Sequence, residues 1–89
     1  MNMTYKVVVS TAAEKSLMRL PGGDYNAVRQ VISSLSDQPW PVKLRKIVGS
    51  DLFRLRFGQY CVIYTVDTID RCVYIERITG RNEKTYRGL

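Results

Sequence analysis

Histidine is absent from the chain. Its absence excludes a Ser-His-Asp triad, a histidine-dependent ribonuclease and any zinc site built on imidazole, because each needs that ring as proton carrier or ligand. Cysteine is scarce: Cys61 and Cys72 are the only two, and they lack Cys-x-x-Cys spacing, which excludes a structural zinc site as well. No apolar run approaches the roughly 18 residues of a membrane span, and residues 1–6 lack the charged-then-apolar order of a signal peptide. The expectation is a soluble, cytoplasmic protein with no membrane partner and no metal. Six Gly and three Pro are too few for collagen or low-complexity sequence, and 45 % hydrophobic residues argue against disorder. At 89 residues the chain has room for one small domain spanning 1–89.

What the chain does have is positive charge. Fourteen Lys and Arg stand against eight Asp and Glu, for a net of +6. Residues 1–42 carry four basic and three acidic groups, a net of +1; residues 43–89 carry ten and five, a net of +5. Concentrated basic surface on a small domain points to a polyanion, with nucleic acid first and an acidic protein next.

Residues 5–9 (YKVVV) form a β-branched run of strand length. Thr11 and Glu14 have the spacing of a capping box, and Ala13, Leu17 and Leu20 share one face of a helix over residues 12–20. Pro21-Gly22-Gly23 stops that helix. Asp24 is placed to cap a second one, in which Tyr25, Val28, Val31 or Ile32, and Leu35 recur at helical spacing. Pro39 and Pro41 end it, with Trp40 between them expected to plug the junction of helices and sheet.

From residue 42 the period becomes alternating. Residues 43–48 read as a short strand. Phe53, Leu55 and Phe57 then share one face of a strand whose other face carries Arg54 and Arg56. Gly58-Gln59 has glycine at the first central position of a two-residue hairpin turn. Residues 60–66 and 72–79 supply two more strands. The expected fold is α+β: an N-terminal strand and a two-helix hairpin packed on one face of a largely antiparallel four-stranded sheet.

A turn at Gly58-Gln59 pairs Phe57 with Tyr60, Leu55 with Val62 and Phe53 with Tyr64, which puts Tyr60 and Tyr64 in the core. Arg56 then faces Cys61 and Arg54 faces Ile63. Pairing Val66 with Arg71 would set Cys61 opposite Glu76, far from Cys72, so the cysteines read as reduced thiols. The open face would hold Arg54, Arg56, Cys61 and Glu76, with Glu76 paired to one of the arginines. Alternating arginines are usually only a solvated face. Basic clustering, the concave sheet and the aromatic Tyr86 tip the reading toward phosphate, which guanidinium forks match in bidentate geometry.

The stretch FRLRFGQYCVIY (residues 53–64), with LRK ahead of it and RITGR and Tyr86 after it, resembles the RelE branch of the RelE/ParE toxin superfamily. The YKVVV strand, a helix ending in Arg-Leu-Pro, a second helix and a proline-containing loop agree, so the resemblance spans essentially the whole chain. It implies a toxin of a bacterial toxin–antitoxin system. RelE-type members enter the ribosomal A site and cut mRNA there without a metal or cofactor. The implied partners are an acidic antitoxin, the ribosome and mRNA, with operator DNA added because the complex often represses its own operon.

By position, Arg54 and Arg56 match the two basic residues of the third strand of the family, one stabilising phosphate and the other acting as base or stabiliser. Cys61 stands where many RelE-like toxins carry an arginine that braces the phosphate, so a charge is missing there. Arg81 matches the general-acid arginine near the C-terminus. Counting from Gly80 without a gap puts Asn82 at that place, and Arg81 is preferred because asparagine cannot be cationic. Tyr86 matches the aromatic that stacks on or orients the substrate base. Lys43, Arg45 and Lys46 resemble the basic strand that grips ribosomal RNA, and Arg77 and Lys84 join them. Two other functions share the resemblance: a ParE-like inhibitor of DNA gyrase, and an inactive remnant that binds antitoxin as a co-repressor.

Overall fold

Residues 4–80 are described by the computed structural model. Strand β1 (Lys6–Val9) is built on three consecutive valines, whose branched side chains favour extended backbone. Helix α1 (Thr11–Met18) begins where Ser10, still extended, accepts the Ala13 N–H at 3.0 Å. The cap is therefore Ser10, one residue ahead of the Thr11 that the capping-box spacing singles out. Thr11 already lies within the helix.

Helix α2 (Gly22–Ser34) has Pro21 at its N-cap, and Asp24 lies inside the first turn instead of capping it. Proline holds its own backbone extended, so the helix can begin at the two glycines. Asp24 is still well placed, since a carboxylate is favoured at a helix N-terminus. It accepts the Tyr60 hydroxyl at 2.6 Å, tying α2 to the sheet.

Strands β2 (Arg45–Lys46), β3 (Phe53–Phe57), β4 (Tyr60–Asp67) and β5 (Cys72–Gly80) follow. With β1 they form one five-stranded sheet in the order β1-β5-β4-β3-β2. The α+β reading holds, with a largely antiparallel sheet. The N-terminal strand is the fifth member of that sheet, running parallel to β5 from Lys6 opposite Cys72 to Val9 opposite Ile75. Its peptide groups need partners, and the open edge of β5 supplies them.

The β3–β4 hairpin has the register its alternation predicts, with Phe53 opposite Tyr64, Leu55 opposite Val62 and Phe57 opposite Tyr60. Gly58 has φ of 59° and Gln59 no positive φ, the pattern of a II′ turn. The β4–β5 register differs from expectation. Val66 faces Val73 rather than Arg71, and Cys61 faces Thr79 rather than Glu76. Two local features cause this. The Asp67 carboxylate accepts the Ile69 and Asp70 N–H groups (2.9 and 3.0 Å) and Arg71 turns through φ 56°, so residues 68–71 all belong to the turn. A β-bulge then leaves Glu76 unpaired between Tyr64–Ile75 and Ile63–Arg77.

One face of the sheet is covered by the helices. Ala13 and Leu17 of α1, with Val28 and Ile32 of α2, pack with Leu35 onto Leu55, Val62, Tyr64, Val73, Ile75 and Ile78. Tyr64 is fully buried and donates its hydroxyl to the Pro39 carbonyl at 2.7 Å, whereas Tyr60 is only half-buried. Pro39, not Trp40, fills the junction. Trp40 is 43 % exposed and meets Tyr5 edge-on, with ring centroids 5.8 Å apart. Neither cysteine is in a disulfide: Cys61 lies opposite Thr79 and Cys72 opposite Asp67, at the two ends of the β4–β5 ladder.

Candidate nucleic-acid interface

The face of the sheet turned away from the helices carries cross-strand rows of side chains. One row runs Arg45, Arg54, Ile63, Arg77 across β2, β3, β4 and β5. The next runs Arg56, Cys61, Thr79. Arg54 and Arg56 share this face because strand residues two apart point the same way. Arg45 joins Arg54 through the short β2 pairing, and a turn closed by the Leu44 N–H on the Pro41 carbonyl (3.1 Å) sets Val42 and Lys43 beside them.

These residues line a groove of about 570 Å³ bounded by Val42, Lys43, Arg45, Arg54 and Arg56. Every polar residue of that lining is a cation. Arg54 is half-buried at the floor, while Lys43, Arg45 and Arg56 are exposed around it. Guanidinium groups stay charged in proteins and present a rigid fork of donors, so such a groove attracts and orients phosphate oxygens. Among the described residues, no three His, Cys, Asp or Glu side chains come together as a metal-holding group.

Four of the residues singled out from sequence, Lys43, Arg45, Arg54 and Arg56, are thus brought together. Lys46 is not. It is adjacent to Arg45, so the pleat turns it the other way, opposite Phe53 and toward a separate hollow with Trp40 and Asp51. Arg77 lies in the Arg54 row because of the bulge. Glu76, expected beside the arginines, is the unpaired residue of that bulge and faces no partner on β4. Cys61 is not on an open surface: it is 1 % exposed, as is Ile63. Both lie on the middle strand, Cys61 between Arg56 and Thr79 and Ile63 between Arg54 and Arg77, away from the edges of the sheet. Thr79 beside Cys61 is also buried, and its hydroxyl has no hydrogen-bond partner among the described residues. Arg81, Lys84 and Tyr86, and the alternative Asn82, lie outside the described residues.

Two residues escaped the sequence reading. Val42 is 99 % exposed at the rim of the groove, and a lone valine in a loop carries no signal. Ser10 holds the bulge, donating its N–H to the Ile75 carbonyl (2.9 Å) and its hydroxyl to the Glu76 carbonyl (2.8 Å). Near the hairpin, Tyr60 has its pKa raised, first by its hydrogen bond to Asp24 and then by desolvation, so it stays protonated.

Comparison with known proteins gives consistent matches. The family model described as the ParE toxin of the type II toxin–antitoxin system, parDE, covers residues 7–85. The chain is 29 % identical over 90 residues to the RelE1 toxin candidate of Methanocaldococcus jannaschii, covering 97 % of this chain and 99 % of that protein. In three dimensions it is similar to the toxin of the archaeal RelE–RelB complex from Pyrococcus horikoshii. There the TM-score is 0.77 at 30 % identity, over 91 % of this chain and 99 % of that one. It is also similar to a chain of the RelBE2 toxin–antitoxin complex from Mycobacterium tuberculosis, with TM-score 0.78 and 27 % identity over 89 % of this chain and 100 % of that one.

Proposed function

The chain belongs to the ParE toxin family of type II toxin–antitoxin systems and is RelE-like, and from that premise we propose that it is an endoribonuclease that cuts mRNA in the ribosomal A site. The observation that carries this reading is the groove of four cations, Lys43, Arg45, Arg54 and Arg56, open on the sheet face away from the helices. RNA brings its own nucleophile, the 2′-OH. A catalyst must remove that proton, stabilise the charge gathering on the phosphate and protonate the leaving oxygen. Arg54, half-buried where its field is least screened, stabilises the pentavalent phosphate, and Arg56 supplies a second cation to the same oxygens. The 2′-OH proton passes to a phosphate oxygen or to water, Arg81 serves as the acid that protonates the leaving 5′ oxygen, and Tyr86 stacks on a substrate base. Arginine is a poor unassisted acid–base catalyst, which fits an enzyme whose substrate the ribosome positions.

The partners proposed are the ribosome with its mRNA and an acidic antitoxin. Relatives from Pyrococcus horikoshii and Mycobacterium tuberculosis are seen in complex with antitoxin, and a chain of net charge +6 favours an acidic one. The complex would reach operator DNA through the same basic character. A ribosomal target places the protein in the cytoplasm. Among the described residues no helix is long and apolar enough to cross a membrane.

A second reading, inhibition of DNA gyrase, is favoured by the ParE character of the matched family model. Primer extension on a reporter mRNA after induction without antitoxin separates the two. Cuts in codon register, only on translated message, are expected. Replacing Arg54 or Arg56 by Ala should lower cleavage by about 10²-fold or more, the usual scale for removing one charge-stabilising group. An intact message beside DNA damage would sink the nuclease and leave gyrase.

A further inference from the structure

The irregularity in the β4–β5 ladder decides which charge continues the Arg45–Arg54 row beyond the groove. Tyr64 faces Ile75, and a regular ladder would next set Ile63 opposite Glu76, placing an anion in the row that holds Arg45 and Arg54. The structure instead sets Ile63 opposite Arg77. One extra residue thus exchanges a carboxylate for a guanidinium at that place. Bulges commonly re-aim a side chain next to a functional site.

The exchange is held from outside the sheet. Ser10 donates its N–H to the Ile75 carbonyl and its hydroxyl to the Glu76 carbonyl, gripping the backbone on the two residues where the register slips. The same hydroxyl caps α1 by accepting the Ala13 N–H. Glu76 and Arg77 are both exposed, so neither is fixed by burial. Their order across the face is set by the backbone.

We infer that Arg77, which the resemblance groups with the RNA-gripping residues, binds phosphate beside the groove because the bulge at Glu76 delivers it into the Arg45–Arg54 row. Two strand spacings, about 10 Å, separate its backbone from that of Arg54. Between them lies Ile63, which is 1 % exposed and offers no charge of its own. The two arginines therefore flank a buried apolar residue, and an RNA backbone crossing this row meets a cation on either side. The inference rests on the reading of the groove as an RNA phosphate site.

The test exchanges the two residues. The variant E76R/R77E keeps composition and net charge, so general attraction to RNA is unchanged, but it puts glutamate in the row. Arg77→Gln removes the cation and leaves the bulge residue in place. Both are assayed on ribosomes programmed with an mRNA whose A-site codon is ribose for single-turnover cleavage, or 2′-deoxy for binding alone. Circular dichroism melts show whether each variant is folded. Arg77→Gln should lose about ten- to hundredfold in cleavage, the scale of one charge-assisted hydrogen bond, and the exchange should lose more. Wild-type behaviour of both variants beside an inactive Arg54→Ala would overturn the role of Arg77 and leave the nuclease standing. A wild-type protein that neither binds nor cuts on programmed ribosomes would overturn the reading of the groove, and the inference with it.

Discussion

Tyr64 shows how much one side chain can carry in so small a core. Its ring is fully buried against Phe53, with centroids 6.0 Å apart, and its hydroxyl donates to the Pro39 carbonyl across the helix–sheet junction. Burial pushes its pKa well above the ordinary 10.0. Below pH 10 the phenol is neutral in both folded and unfolded chains, and its contribution to stability is complete. Above pH 10 the unfolded chain loses the proton while the buried phenol keeps it. Stability then falls with rising pH, by at most about 1.4 kcal/mol per pH unit for one group, until the folded phenol ionises too. Tyr64→Phe should cost about 1 kcal/mol at pH 7, since it leaves a carbonyl unpaired. It should also lose less stability between pH 9 and 11 than the wild type does. Urea denaturation at both ends of that range checks this. An equally steep alkaline loss in the variant would assign the effect to other tyrosines, of which Tyr60 and Tyr74 are also raised.

At the scale of elements, the β3–β4 hairpin and the β4–β5 hairpin contrast. The first was legible because its residues alternate strictly and its turn contains the one residue type that tolerates positive φ without strain. A Cβ added at Gly58 would meet nothing within 4 Å, so a substitution there is opposed by the backbone alone. Gly58→Ala should cost about 1–2 kcal/mol, and Gly58→Asn less, because asparagine visits the left-handed region more readily. For a chain of this length that is a fall in Tm of roughly 4–8 °C per kcal/mol, readable in a thermal melt. A melt unchanged by alanine would mean that the turn adapts. The second hairpin was misread because nothing in Asp67–Arg71 fixes the turn length until the Asp67 side chain is seen binding two backbone amides. The bulge did leave a trace. Ile75 and Ile78 are three apart with two charged residues between them, which no regular strand can place on one face. The helix starts were misread for a related reason: Ser10 and Thr11 are equally good caps by type, and only the backbone chooses.

The whole molecule divides its labour between two sides of one sheet. The helices bury one side, and the strand order β1-β5-β4-β3-β2 lines up Arg45, Arg54 and Arg77 on the other. Much of that division was readable, since the Arg54–Arg56 alternation and the excess of charge in residues 43–89 both point to a cationic sheet face. That Lys46 leaves it and Cys61 is sealed beneath it follows from pleat direction and strand order, which are properties of the assembled sheet. The arrangement makes a quantitative claim about RNA. Each phosphate neutralised on a single strand contributes about −0.7 to the slope of log K against log salt. Four groove cations in contact would give a slope near −2.8. Arg54→Ala should bring it back by about 0.7, and Arg56→Ala by a similar amount. Lys15→Ala, an exposed cation on α1 and so on the helical side, should leave the slope where it was. Affinity for an uncleavable 2′-deoxy oligonucleotide measured over a series of salt concentrations distinguishes the cases. If Lys15 and Arg54 change the slope equally, RNA responds to the net charge of the chain and not to the sheet face.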